Sequence, residues 1–373
     1  MKILLLNYEY PPLGGGAANA TAYLLKEFID QPGISIDLVT SSVGEEHFEQ
    51  LGTNIRIYYL DIGKRTNIHY QSMKDLLKYA FKASKFSKQL CAKTQYDLCH
   101  AFFGIPCGFM ARRLGLPYIV SLRGSDVPFY NERFKLLDTL VFQRLSIGIW
   151  RDAKAVVANS EGLRLLALES SPQQKIDIIK NGVDIDEFYP AERSGTVLRV
   201  LCVSRLIERK GIDFLIRAVS QLPEKQVQLT IVGSGNQEQQ LKELATEQGC
   251  HASVNFQGLV EHDDIADVYQ SHDVFVLPSF NEGMSNTALE ALASGLPLVM
   301  TGTGGADELL EDGKNGYTIG KGNVEDIVKA LQQYIDSPDT VTSHGKRSRK
   351  IAESLSWQQC SQAYLNLYNQ VKR

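Results

Sequence analysis

The sequence predicts an α/β fold built twice: two Rossmann-like domains, each a parallel sheet covered by helices. Three observations carry that reading. Short apolar runs alternate with amphipathic stretches along the whole chain. At 373 residues the chain is long for one core and fits two domains of ordinary size. The charge is divided too, since residues 1–190 carry 22 Lys+Arg against 20 Asp+Glu and the rest carry 17 against 23.

In the first half the apolar runs are KILLLN, SIDLVT, IRIYYL, DLCHAF, PYIVSL, AVVANS and IDIIKNG. The opening MKILLLNYEY is too short for a secretory signal and is read as a buried first strand. The second half offers LRVLCVS, VQLTIVG, VNFQG, DVFVLPS and PLVMTG, with GIDFLIRAVSQL and NQEQQLKELATEQ as helices between them. The join is expected in FYPAERSGTV, residues 188–197, which has turn formers and no apolar period. The first domain is then 1–190 and the second 191–355. Open parallel sheets bind ligands beyond the carboxyl ends of their strands. Two such domains facing each other would line a cleft with those loops.

Composition excludes several classes. Apolar residues are 43% and charged residues 22%, which describes a folded chain. No apolar run reaches the roughly 18 residues of a membrane span. A net charge of −4 argues against a general nucleic-acid binder. The six cysteines (Cys91, Cys99, Cys107, Cys202, Cys250 and Cys360) form no C-x-x-C pair and no zinc-finger spacing. They read as reduced thiols of a cytoplasmic protein, and no metal site is expected. Asn19-Ala20-Thr21 matches a glycosylation acceptor by chance.

The loop after the first strand, NYEYPPLGGGAANA, ends in Gly14, Gly15 and Gly16. Bare backbone there permits a sharp turn and close approach by a ligand. A helix starting at Ala17 or Ala18 would aim its free N–H groups at an anion. The loop alone does not choose between a phosphate or substrate cradle and a plain strand-to-helix turn. It is not a dinucleotide fingerprint, although Asp37 falls where the ribose-binding acid would stand. The third Gly is replaced by Asn19, and Tyr8 to Gly14 separate strand from turn. No P-loop occurs.

In LPSFNEGMSNTALEALASGLPLV, residues 277–299, a strand ends at Pro278 and a helix follows with Ser285 or Asn286 as N-cap. Glu282 lies in the approach loop and Glu290 on the helix, among Leu289 and Leu292. A half-buried carboxylate needs partners, and ligand hydroxyls would serve. In CVSRLIERKGIDFLIRAV, Arg205 and Lys210 precede a helix near Gly211, as a diphosphate clamp would. Glu208 and Arg209 read as solvated charges. In VSLRGSDVPFY, Arg123, Gly124, Ser125 and Asp126 follow a strand of the first half.

In order, the Gly-rich loop, NGVDIDEF, SRLIERKG, IVGSG, FQGLV, the pair Glu282-x7-Glu290 with ALASGLPLV, and GGADELLEDGKNG resemble the retaining glycosyltransferases of family 4. The resemblance runs from about residue 1 to about 360. It implies the GT-B fold and transfer of a sugar from a nucleotide-sugar donor, UDP- or GDP-linked, to a carbohydrate or lipid-linked acceptor, with no metal or other cofactor. It implies that Glu290 holds the ribose and Glu282 the transferred sugar. Gly283, Met284, Ser285 and Asn286 would touch the sugar or diphosphate, and Arg205 and Lys210 would bind the diphosphate. Gly15 and Gly16 would approach phosphate or sugar, and Leu259 and Val260 would lie by the base. SWQQCSQAYLNLYNQVKR, residues 356–373, would cross back to the first domain as a helix, with Trp357, Tyr364 and Tyr368 as packing only. Many members have His where Arg123 stands. Arg123 would bind a phosphate of donor or acceptor, and Asp126 would orient it or meet an acceptor hydroxyl. The acids of Asp184-Ile185-Asp186 are read as structural.

Residues 64–93 carry eight Lys+Arg and one acid, Asp75. Met73, Leu77, Phe81 and Leu90 would line one helix face, with lysines largely on the others. Such a helix either covers the sheet or lies on anionic lipid, which would place the protein peripherally on the inner face of a membrane. Two rivals stay open: a nucleotide-sugar epimerase of the same fold, and an inactive nucleotide-sugar-binding subunit.

Overall fold

The computed structural model describes all residues except 67, 69–70, 131–134, 193–194, 262–263 and 373. Asn67, His69 and Tyr70 of the basic stretch therefore lie outside the described residues, as do Arg193 and Ser194 of the expected join. The chain divides into two compact units, Met1–Asn181 with the segment from Trp357 onward, and Gly182–Ser356.

The first unit carries β1 (Lys2–Leu6), β2 (Ser35–Ser42), β3 (His47–Leu51), β4 (Ile55–Asp61), β5 (Leu98–Phe102), β6 (Tyr118–Leu122), β7 (Ala155–Ala158) and β8 (Asp177–Ile178). Their order is β3-β4-β2-β1-β5-β6-β7-β8. All neighbours are parallel except β3, which pairs antiparallel with β4. The order reverses at β1, so the glycine loop leaves the sheet at its topological switch point. Ile3 to Leu6 are fully buried, which is why that strand reads as an unbroken apolar run. β3 escapes the pattern because HFEQL is an exposed edge with no apolar run. The helices are α1 (Gly16–Phe28), α2 (Met73–Lys93), α3 (Phe109–Arg112), α4 (Lys135–Leu137), α5 (Gln143–Asp152) and α6 (Glu161–Ser170).

The second unit carries β9 (Leu198–Val203), β10 (Val227–Val232), β11 (Val254–Gly258), β12 (Val274–Leu277), β13 (Leu298–Thr301) and β14 (Gly316–Ile319). They are all parallel, in the order β11-β10-β9-β12-β13-β14. Its helices are α7 (Ile212–Val219), α8 (Glu238–Glu247), α9 (Ile265–Gln270), α10 (Asn286–Ala293), α11 (Val324–Asp336) and α12 (Asp339–Ala352). The unit begins ahead of the expected join. Phe188 is buried in its core, and the Arg349 guanidinium donates to the carbonyls of Ile185, Phe188 and Ala293, which ties NGVDIDEF to α10 and α12. Asp184 accepts from the N–H groups of Asp186 and Glu187 at 3.1 Å, a local turn.

The last helix, α13 (Trp357–Lys372), belongs to the first unit. Trp357 stacks on Tyr23 of α1 at 5.3 Å, and Tyr368 meets Phe28 at 6.3 Å. Contacts of this kind contribute about 0.5–1.5 kcal/mol each beyond area burial.

Candidate active site

In the second unit the strand order reverses between β9 and β12, so the loops leaving those strands run side by side. The first carries Arg205, then a tight turn Glu208–Lys210, then Gly211 as N-cap of α7. The second carries Glu282 and ends on Ser285, whose side-chain oxygen accepts the Ala288 N–H at 3.3 Å and caps α10. Lys210 and Glu282 join the two loops through a salt bridge whose side chains are only 10% and 12% exposed. Desolvation pushes the Lys210 ammonium below its ordinary pKa against the pull of Glu282. Burial works against the Glu282 charge as well, but Lys210 and Arg209 outweigh it and hold its pKa below the usual value.

Arg209 is not the solvated charge expected. Its guanidinium donates to the Asn281 carbonyl at 2.9 Å, and its own carbonyl accepts the Phe280 N–H at 2.9 Å. Only its tertiary neighbours reveal this. Arg205 is exposed at the mouth of the same loop.

The neighbouring loops brace these two through close backbone contacts. Gly304, at φ 56°, lies where a Cβ would overlap the Glu282 carbonyl oxygen, and Gly305 donates to the Gly283 carbonyl at 2.7 Å. Gly233, at φ 129°, likewise lies against the Ser204 carbonyl, and Leu206 donates to Ser234 at 2.9 Å. The GGADE and IVGSG segments are therefore bracing for the loops that carry charge. Gly283 and Met284 are buried and Asn286 is half-buried. Leu259 is 59% exposed beyond β11, while Val260 packs on the core.

Glu290 accepts the hydroxyl hydrogen of Tyr269 at 2.8 Å. Burial pushes its pKa up to about 7, with a further rise from Glu187 and an opposing effect from Tyr269. Tyr269, on α9 and fully buried, is absent from the sequence reading because nothing in IADVYQ marks its partner.

In the first unit Gly15 is the N-cap of α1, which begins one residue before the earliest expected start. A Cβ at Gly15 would meet nothing within 4 Å, whereas one at Gly14 would meet the Glu9 side chain at 2.7 Å. Glu9 beneath the loop was missed by sequence reasoning. Asp37 is consumed inside the sheet by Arg56, at 2.6 and 2.7 Å, and by Tyr96.

Arg123 and Asp126 follow β6. The Asp126 carboxylate accepts N–H groups from Gly104 at 2.7 Å, Arg123 at 2.9 Å and Gly124 at 3.1 Å. Burial pushes its pKa up and those donors restrain the rise. It clamps the loops after β5 and β6 to each other. The Arg123 guanidinium donates to Asn181 at 2.8 Å and to the Tyr364 hydroxyl at 3.2 Å, and lies 4.2 Å over the Phe102 ring. Tyr364 thus does more than the packing expected of it. Among the described residues no three His, Cys, Asp or Glu side chains cluster as a metal site, and no helix is long and apolar enough to cross a membrane.

The site sits on the fold of sugar-transferring enzymes. Residues 14–187 match Glycosyltransferase Family 4 and residues 184–351 match Glycosyl transferases group 1. The chain belongs to the GT-B glycosyltransferases of this group. It is 25% identical to an uncharacterized glycosyltransferase of Methanocaldococcus jannaschii, over 99% of this chain and 98% of that protein. Among solved structures it is similar to sucrose-phosphate synthase from Thermosynechococcus elongatus, with a TM-score of 0.88, 21% identity, and 100% and 99% of the two chains covered. It is also similar to Anabaena HepE in complex with UDP-glucose, with a TM-score of 0.76, 21% identity, and 99% and 100% covered.

Proposed function

We propose that the protein transfers a hexose, with retention at the anomeric carbon, from a nucleoside-diphosphate sugar to an acceptor hydroxyl. UDP- and GDP-linked donors are favoured, in synthesis of a polysaccharide, glycolipid or lipid-linked oligosaccharide. The observation that carries this is the arrangement at the switch point of the second unit. A buried Lys210–Glu282 pair, the exposed Arg205, a capped helix and Glu290 follow one another along two adjoining loops.

Each residue receives a role from its chemistry. Glu290 takes the two ribose hydroxyls, which offer the hydrogen bonds its buried carboxylate needs. Gly283, Met284, Ser285 and Asn286 present backbone at the start of α10 to the sugar and diphosphate. Leu259 and Val260 flank the base. Arg205 and Lys210 balance the charge that grows on the departing diphosphate, and this charge stabilisation takes the place of a metal ion. Glu282 contacts the sugar hydroxyls while keeping Lys210 in position. In the first unit Gly15 and Gly16 are assigned to the donor phosphate or sugar, and Arg123 to a phosphate of donor or acceptor. Asp126 acts through the loop it clamps. The acceptor oxygen bonds to the anomeric carbon on the face the diphosphate leaves, and its proton passes to the leaving phosphate oxygen.

An anionic membrane surface is the proposed location of the acceptor. Met73, Leu77 and Phe81 of α2 are 45%, 65% and 76% exposed, and Lys74, Lys85 and Lys88 are exposed on the same helix.

Calorimetric titration with UDP, GDP and ADP and their common sugars tests the donor reading. One nucleotide series is expected to bind wild type and to lose binding in Glu290→Ala. Equal binding to both proteins would refute the site.

A further inference from the structure

A polar chain connects the last helix to Arg123 inside the first unit. Tyr368 of α13 lies 2.8 Å from His100 Nδ1, and His100 Nε2 lies 2.7 Å from Ser121 Oγ. Ser121 Oγ lies 3.0 Å from the Tyr364 hydroxyl, which accepts from Arg123 at 3.2 Å. His100, Ser121, Tyr364 and Tyr368 are all essentially inaccessible to water.

One direction is fixed by chemistry, since a guanidinium can only donate: the Tyr364 oxygen receives a hydrogen from Arg123. The remaining three links run together one way or the other, from Tyr364 towards Tyr368 with His100 protonated on Nδ1, or from Tyr368 towards Tyr364 with His100 protonated on Nε2. In both arrangements the Tyr364 oxygen is held between Arg123 and Ser121. Burial, reinforced by the Arg123 charge, keeps the imidazole neutral.

We infer that α13 is a positioning element for the site: Tyr364, held through Ser121 and His100 by Tyr368, fixes with Asn181 the plane and reach of the Arg123 guanidinium. Tyr364 acts through Arg123 and not by touching substrate. The inference rests on the assignment of Arg123 to the transfer reaction, so the test separates the two.

On the full-length chain, nitrogen-15 NMR of arginine side chains reads the geometry directly. The Arg123 guanidinium is expected to rotate slowly in wild type and fast in Tyr364→Phe. Equal rotation in both proteins overturns the inference whatever the substrate. Release of nucleoside diphosphate from a panel of UDP-, GDP- and ADP-sugars reads the consequence. Arg123→Ala and Tyr364→Phe are each expected to lower kcat about tenfold or more. The double variant is expected to be no slower than Arg123→Ala alone. Wild-type kcat in Tyr364→Phe, or an additive double variant, refutes positioning. Wild-type kcat in Arg123→Ala refutes the assignment of Arg123 instead.

Discussion

Glu290→Gln should make the unliganded protein more stable while removing donor binding. Burial lifts the Glu290 carboxyl from its ordinary 4.5 to about 7. Between those values the folded state holds a proton that the unfolded state has released, so stability falls as pH rises through this window and stays low above it. The full shift corresponds to roughly 3 kcal/mol. The side chain keeps some contact with water, so we take about 2 kcal/mol. Glutamine can still accept the Tyr269 hydrogen but never ionises. Urea unfolding should find Glu290→Gln about 2 kcal/mol more stable than wild type at pH 8 and nearly equal at pH 5. The donor side has the opposite sign. If ribose hydroxyls require the carboxylate, wild type should bind a nucleotide sugar about tenfold tighter at pH 8 than at pH 6. An esterified diphosphate does not titrate there, so the effect belongs to the protein. A destabilised Glu290→Gln at pH 8 together with pH-independent donor affinity would refute the reasoning.

Three further outcomes are expected. Lys210→Ala should slow turnover by roughly two orders of magnitude or more and destabilise the protein by about 3 kcal/mol, because it strands the buried Glu282 charge; Lys210→Met with Glu282→Leu should recover most of the stability in chemical denaturation and remain inactive. Gly15→Val should melt with wild type, since a side chain there meets only open space, yet lose turnover at saturating donor; an unchanged rate would remove this loop from the site. Leu77→Glu with Phe81→Glu should abolish sedimentation with anionic vesicles at low salt without lowering the melting temperature, and retained binding would place any membrane contact elsewhere.

The parts legible in the sequence are those whose partners are local or periodic. Ile3 to Leu6 announce a central strand because both of its faces are buried. Glu282 and Glu290 announce a candidate site because a loop and the helix it opens fix their spacing. Arg209 and Tyr269 stayed hidden because each is defined by one distant partner, the Asn281 carbonyl and the Glu290 carboxylate. Tyr364 is the extreme case, since 241 residues separate it from Arg123. An aromatic at helical spacing looks the same in sequence whether its hydroxyl is idle or holds a cation. The unit boundary was misplaced for a related reason: DIDEF has no apolar period, and only the carbonyls gathered by Arg349 show that it belongs to the second unit.

Arg123, where the resemblance leads one to expect His, is better understood from the chain behind it. An imidazole at this position could gain or lose a proton near neutral pH; a guanidinium cannot. His100 lies close by, but both of its nitrogens are engaged, by Tyr368 and Ser121, and it is held neutral. Both nitrogens are thereby committed inside the fold, away from solvent. In the proposed reaction the first unit therefore offers a fixed charge, braced by Asn181, Phe102 and Tyr364. Proton movement in that proposal is left to the acceptor hydroxyl and the leaving phosphate. The group of the proposed site that titrates near neutrality is Glu290, on the donor side. Its ionisation should move KM for the donor and leave kcat flat between pH 6 and 8, the signature of a site that binds by proton loss and reacts without one.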